Sequence, residues 1–147
     1  MILSQTAEYA LRTVVFVAGQ GDQPVRIDEM AAALGIPRNY LSKTVHRLAR
    51  GGVLQSARGR GGGFRLARPA DKVGLLDVIS QFDHVGPERR CLLGRDVCSD
   101  RSPCEAHARW KEVAAHLANF FNQTTVADLV ARSSRRDGPA TGHLTRR

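Results

Sequence analysis

The chain is poor in aromatic residues (5%), has three cysteines, and has no acidic residue at all between positions 38 and 70. No apolar run approaches the roughly 18 residues that a membrane-spanning helix needs, so no membrane association is expected. The opening "MILSQTAEYALRTVVFVAGQ" has no basic leader, and Gln5, Glu8 and Arg12 interrupt its apolar residues. This argues against a cleaved signal and for a soluble, cytoplasmic chain. An odd number of cysteines in a reducing compartment argues against a disulfide framework, which leaves metal binding, redox chemistry or inert packing. Paired catalytic acids, a nucleophile with a base, and a substrate-loop motif are all missing, so an enzyme is not expected. At 147 residues the chain is long enough for one ordinary domain and one core.

Positive charge is what the sequence does have. The net charge is +8 and the pI near 10.4. By segment, residues 1–37 carry −2, 38–70 carry +8, 71–131 carry −2 and 132–147 carry +4. The last block, "RSSRRDGPATGHLTRR", is nearly free of apolar residues and reads as a disordered basic tail, a solubilising end or a DNA-contacting arm. The middle block coincides with structured patterns.

Leu3, Ala7, Ala10, Leu11, Val14 and Val17 recur at three- and four-residue steps and line one helix face, which Gly19 and Gly21 end. A short helix begins near Ile27, with Asp28 and Glu29 in its first turn and Ile27, Met30, Ala31 and Leu34 on one face; Gly35 closes it. From Pro37 a third helix carries Leu41, Val45 and Leu48 inward and stops at Gly51 and Gly52. Its other face bears Ser42, Lys43, His46, Arg47 and Arg50, with Arg38, Asn39 and Tyr40 at the N-terminal end. A face of donors alone suits phosphates and the acceptor edges of purines. In a helix-turn-helix the N-terminal residues of the second helix meet the bases. An ordinary basic surface is the plainer alternative.

"VLQSARGRGGGFRLARP" then places two extended stretches, 53–56 and 64–67, around a Gly/Arg tip, a hairpin with Arg58 and Arg60 positioned to enter a narrow minor groove. "GRGGG" is no phosphate loop, since no GK[ST] and no immediate helix follow. The fold expected is mainly α: a winged helix-turn-helix with a small β-hairpin wing and a long dimerisation helix. "LLDVISQFD" adds a short helix. Trp110, Val113, Leu117, Phe120 and Thr124 form the dimer seam, and Thr125 to Asp128 a capping box. A two-fold dimer matches a palindromic double-stranded operator. The segments are 1–86 for the DNA-binding region, 87–106 for a cysteine-rich loop, 107–131 for the dimerisation helix and 132–147 for the tail.

The loop "CLLGRDVCSDRSPCEAH" separates Cys91, Cys98, Cys104 and His107 by six, five and two residues. No C-x2-4-C knuckle is present, which weakens zinc without excluding it. The wide gaps, with Gly94, Asp96, Ser99, Asp100, Ser102 and Pro103 in them, suit an iron–sulfur cluster. Arg89, Arg90, Arg95 and Arg101 are near enough in sequence to offset thiolate charge. A bare thiol sensor stays open beside both metals.

"LSQTAEYALR", "NYLSKTVHRLARGGVLQSARGRGGGFRLARP", the three-cysteine loop and "TTVADL" together resemble the Rrf2 family of bacterial regulators, from residue 1 to about 131. The resemblance implies a homodimeric winged-helix transcription regulator, expected to repress, with an iron–sulfur cluster on Cys91, Cys98 and Cys104 that senses redox, nitric oxide or cluster status. In IscR-like members the fourth ligand corresponds to His107 with a 2Fe-2S cluster; in NsrR-like members it corresponds to Glu8 of the partner subunit with a 4Fe-4S cluster. The first cysteine gap is one residue longer than in those subfamilies, and Glu stands where Asp is usual. The rival reading is a zinc-stapled or cluster-free winged-helix module that binds nucleic acid without redox sensing.

Overall fold

A computed structural model of the chain describes residues 3–83, 91–95 and 98–133. Ser4 caps the first helix, α1 (Gln5–Gly19), its Oγ accepting from the Ala7 N–H at 3.2 Å and so satisfying one free donor of the helix start. Ala7, Ala10, Thr13, Val14 and Val17 are the buried face. Thr13 is tolerated there because its hydroxyl donates to the Tyr9 carbonyl at 2.7 Å. Helices α2 (Ile27–Leu34) and α3 (Arg38–Arg50) follow, separated by Gly35 at φ +64, a conformation that costs glycine little. Met30 of α2 and Leu41, Val45 and Leu48 of α3 join the α1 face in one core. The expected helix-turn-helix is present.

Strands β1 (Leu54–Ala57) and β2 (Gly63–Leu66) pair antiparallel, Leu54 opposite Leu66 and Ala57 opposite Gly63. Both are offset by one residue from the sequence expectation. Val53 is used in closing α3, its N–H donating to the Leu48 carbonyl at 3.0 Å. Val25, ahead of α2, exchanges two 2.8 Å backbone bonds with Phe64 and adds a one-residue third strand that the sequence reading did not contain. The hairpin is thereby fastened to the helix-turn-helix.

A 3-10 turn (Ala70–Lys72) leads to α4 (Leu75–Ile79); α5 (His107–Gln123) and α6 (Val126–Ser133) complete the described chain. Residues 107–131 are therefore two helices and not one, broken at Thr124–Thr125. The break is pinned by backbone bonds from Leu75 N–H to the Thr124 carbonyl and from Val126 N–H to the Val73 carbonyl, each 2.9 Å. The capping box forms: the N–H and hydroxyl of Thr125 each donate to Asp128 Oδ2 at 2.8 Å. Val126 is fully buried, with Leu129 and Val130 packed on the main core.

On α5 the buried residues are His107 and Phe121, near its two ends. Of the apolar stripe, Trp110 and Leu117 are half-buried, while Val113 and Phe120 are 48% and 52% exposed. Backbone of α6 extends through Arg132 and Ser133; the rest of the expected tail, 134–147, lies outside the described residues. Among those residues no helix is long and apolar enough to cross a membrane.

Candidate nucleic-acid interface and cysteine site

Helix α3 is held at both ends of its outer face. Arg38 pairs with Asp28 of α2, so it is not an uncompensated cation. Tyr40 shares a 2.7 Å hydrogen bond with Thr6 Oγ1, and its ring meets Tyr9 edge-on at 5.7 Å, tying α3 to α1. Further along, the Arg47 guanidinium lies 4.9 Å from the centre of the Phe82 ring, and His46 meets Phe64 of β2 edge-on at 5.5 Å. Asn39, Lys43, His46, Arg47 and Arg50 are exposed and Ser42 half-buried.

Between α3 and the hairpin runs an open groove of about 480 Å³ lined by His46, Ala49, Arg50, Ser56 and Phe64. Lys43, Arg50, Arg58 and Arg60 have no ion-pair partner among the described residues. Uncompensated cations of one sign beside a groove attract polyanions. At the wing tip Gly59 and Gly61 stand at φ +92 and +72, the left-handed region in which other residues are strained.

The cysteine loop brings its donors together in two pairs. Cys91 Sγ is 3.8 Å from Cys104 Sγ, and Cys98 Sγ is 3.5 Å from His107 Nδ1. Cys91 and His107 are each 7% exposed. Backbone N–H groups of Arg95 and Leu93 point at Cys91 and hold its thiol below the ordinary range; the Cys104 sulfur and the Arg95 charge act the same way, and burial opposes them. The far nitrogen of the imidazole, Nε2, meets Asp100 Oδ1 at 2.7 Å, and Lys111 Nζ stands 2.9 Å from both Asp100 oxygens. These contacts, His107 first, hold the Asp100 carboxyl down to about 2.

Among the described residues no three of His, Cys, Asp and Glu converge as one metal-holding group. The pairs nevertheless have the separations of ligands on a shared metal. Two sulfurs at about 2.3 Å from a tetrahedral centre stand ~3.8 Å apart, and a sulfur with a nitrogen at about 2.0–2.1 Å stands ~3.5 Å apart. Glu8, in the first turn of α1, is exposed, and its side chain has no hydrogen bond or ion pair among the described residues. Of the nearby arginines, Arg95 reaches Glu105 at 4.0 Å, Arg101 is exposed, and Arg89 and Arg90 lie outside the described residues. The sequence reading missed Asp100 and Lys111 as partners of His107. A ligating histidine usually gives its second nitrogen to a carboxylate or carbonyl, so the acids flanking His107 were the signal to follow.

The family model described as "Iron-dependent Transcriptional regulator", Rrf2, matches residues 3–132. An Aquifex aeolicus protein of the HTH-type transcriptional regulator class is 37% identical over 132 residues, 88% of this chain and 92% of its own. The HTH-type transcriptional regulator IscR of Klebsiella pneumoniae is 31% identical over 131 residues, 88% of this chain and 80% of its own. In fold, the chain is similar to CymR, the global cysteine regulator of B. subtilis (TM-score 0.75, 22% identity, 88% of this chain and 96% of that one). It is equally similar to T. potens IscR (TM-score 0.75, 20% identity, 93% and 91%). The winged helix with its basic groove, the cysteine loop and these matches lead to one conclusion: the chain belongs to the Rrf2 family of DNA-binding, winged-helix transcriptional regulators, which are not enzymes.

Proposed function

We propose that this regulator is a cytoplasmic homodimer, acting as a repressor, whose affinity for a palindromic operator is set by an iron–sulfur cluster on Cys91, Cys98, Cys104 and His107. The observation that carries this reading is the arrangement of four donors as two separate pairs. A single zinc requires all four at one centre, whereas a 2Fe-2S unit has two irons, each with two ligands from the protein. A 4Fe-4S unit, with one protein ligand per iron and Glu8 of the partner as the fourth, fits the pairs less well. When bound, the cluster supplies a centre that oxidation or nitric oxide can alter.

The chain's own residues carry the consequence to DNA. The loop leaves the core at Phe82 and Asp83. Phe82 lies under Arg47 of α3, and Asp83 Oδ2 accepts from the Ser4 N–H at 2.7 Å, at the start of α1. In this proposal a change in the cysteine loop is passed to the recognition helix and α1 through these two adjacent side chains. Arg38, Asn39, Tyr40, Ser42 and His46 read the major groove in this proposal, while Lys43, Arg47, Arg50, Arg58 and Arg60 hold phosphates, Arg58 and Arg60 at the minor groove. The exposed Val113 and Phe120 on α5 form the dimer contact.

The 3.8 Å Cys91–Cys104 separation also favours a second reading, cluster-free thiol sensing with a disulfide between these two residues. Purification under nitrogen separates the two. Brown protein with iron and labile sulfide supports the cluster; colourless protein with three titratable thiols, two of them consumed on oxidation, supports the thiol sensor. Stoichiometric zinc contradicts both.

A further inference from the structure

His107 is buried and its two ring nitrogens face different groups. Nε2 is 2.7 Å from Asp100 Oδ1 and Nδ1 is 3.5 Å from Cys98 Sγ. An aspartate is ionised at neutral pH, and a carboxylate can only accept. Nε2 must therefore carry a proton, and in the neutral ring the lone pair is left on Nδ1, on the side of Cys98. Asp100 does not rely on His107 to keep its place. Lys111, four residues along α5 from His107, is within 2.9 Å of both carboxylate oxygens, so loop and helix are clamped by one acid between two α5 side chains on the same face.

We infer that Asp100, held by Lys111, is a positioning residue that fixes the tautomer of His107 and presents Nδ1, not Nε2, beside Cys98 as the donor. This rests on the proposed cluster reading for its purpose but not for its geometry. A carboxylate on the far nitrogen both orients a ligating imidazole and raises its basicity, and loss of such a partner typically lowers metal affinity about 10- to 100-fold.

The test uses the full chain as Asp100→Ala, Asp100→Asn and Lys111→Met. The Asp100 and Lys111 side chains are 68% and 51% exposed, so these variants should retain the fold. Long-range ¹H–¹⁵N spectra of the metal-free protein read the tautomer. The expected result is protonated Nε2 in the parent and in Asp100→Asn, whose amide oxygen still accepts, and a mixture of tautomers in Asp100→Ala. After reconstitution with ferrous iron and sulfide under nitrogen, iron should pass to a chelator about 10- to 100-fold faster from Asp100→Ala than from the parent. In a His107→Ala background the Asp100 substitution should then change nothing, which a merely structural role would not produce. Parent tautomer and parent iron-loss rate in Asp100→Ala overturn the inference. A parent chain that takes up no iron and sulfide, yet loses its fixed tautomer in Asp100→Ala, overturns the cluster reading and supports the positioning role.

Discussion

At Gly63 an added β-carbon would stand 2.4 Å from the Val25 oxygen and 2.6 Å from its carbonyl carbon, and those backbone atoms cannot withdraw without breaking the Val25–Phe64 pair. Gly63→Ala should therefore cost about 1–3 kcal/mol, the usual penalty of forced overpacking, seen as a lower urea midpoint. Gly19→Ala is the control: nothing lies within 4 Å of its added carbon, and its midpoint should move by no more than about 0.5 kcal/mol equivalent. Charges at this scale are separable too. Arg58→Ala and Arg60→Ala should each reduce the slope of log affinity against log salt by about 0.9 for every phosphate that the variant no longer neutralises. Arg38→Ala should do less, because Asp28 already compensates that charge. Anisotropy titrations on one duplex between 50 and 200 mM salt measure all three; equal slopes would remove the wing from the interface.

Helix α6 depends on its first turn. Thr125→Ala removes the hydroxyl that bonds Asp128 and should lower stability by about 1 kcal/mol, whereas Thr125→Ser should be nearly neutral; urea unfolding decides. This cap was legible in the sequence because its partners are three residues apart. Helices α1 to α3 were legible for the same reason, since periodic apolar residues and the glycines that stop them are local signals. What escaped the sequence was pairing across distance. Val25 meets Phe64, and Val73 meets Val126, and neither side carries a pattern naming the other. The second bond pins the break that divides 107–131, expected as a dimerisation helix ending in a capped turn, into α5 and α6. The cysteine loop was half legible: its donor types are plain in the sequence, but their division into pairs, and the place of Asp100 beside His107, depend on how the loop turns back on α5.

For the molecule as a whole, the proposed dimer contact rests on Val113 and Phe120, the exposed large apolar side chains of α5 among the described residues. Val113→Asp with Phe120→Asp should give a monomer by sedimentation with unchanged helix content; a dimer of parent size would move the seam elsewhere. The central claim is that the state of the cysteine loop sets the grip of the two winged helices on DNA. Its most direct test is the affinity of the reconstituted dimer for a duplex selected from a random library, measured under nitrogen at one salt concentration, before and after removal of iron and sulfide. The account predicts a change of roughly 5- to 150-fold, the range of ordinary allosteric coupling of ~1–3 kcal/mol; the same affinity in both states would contradict it.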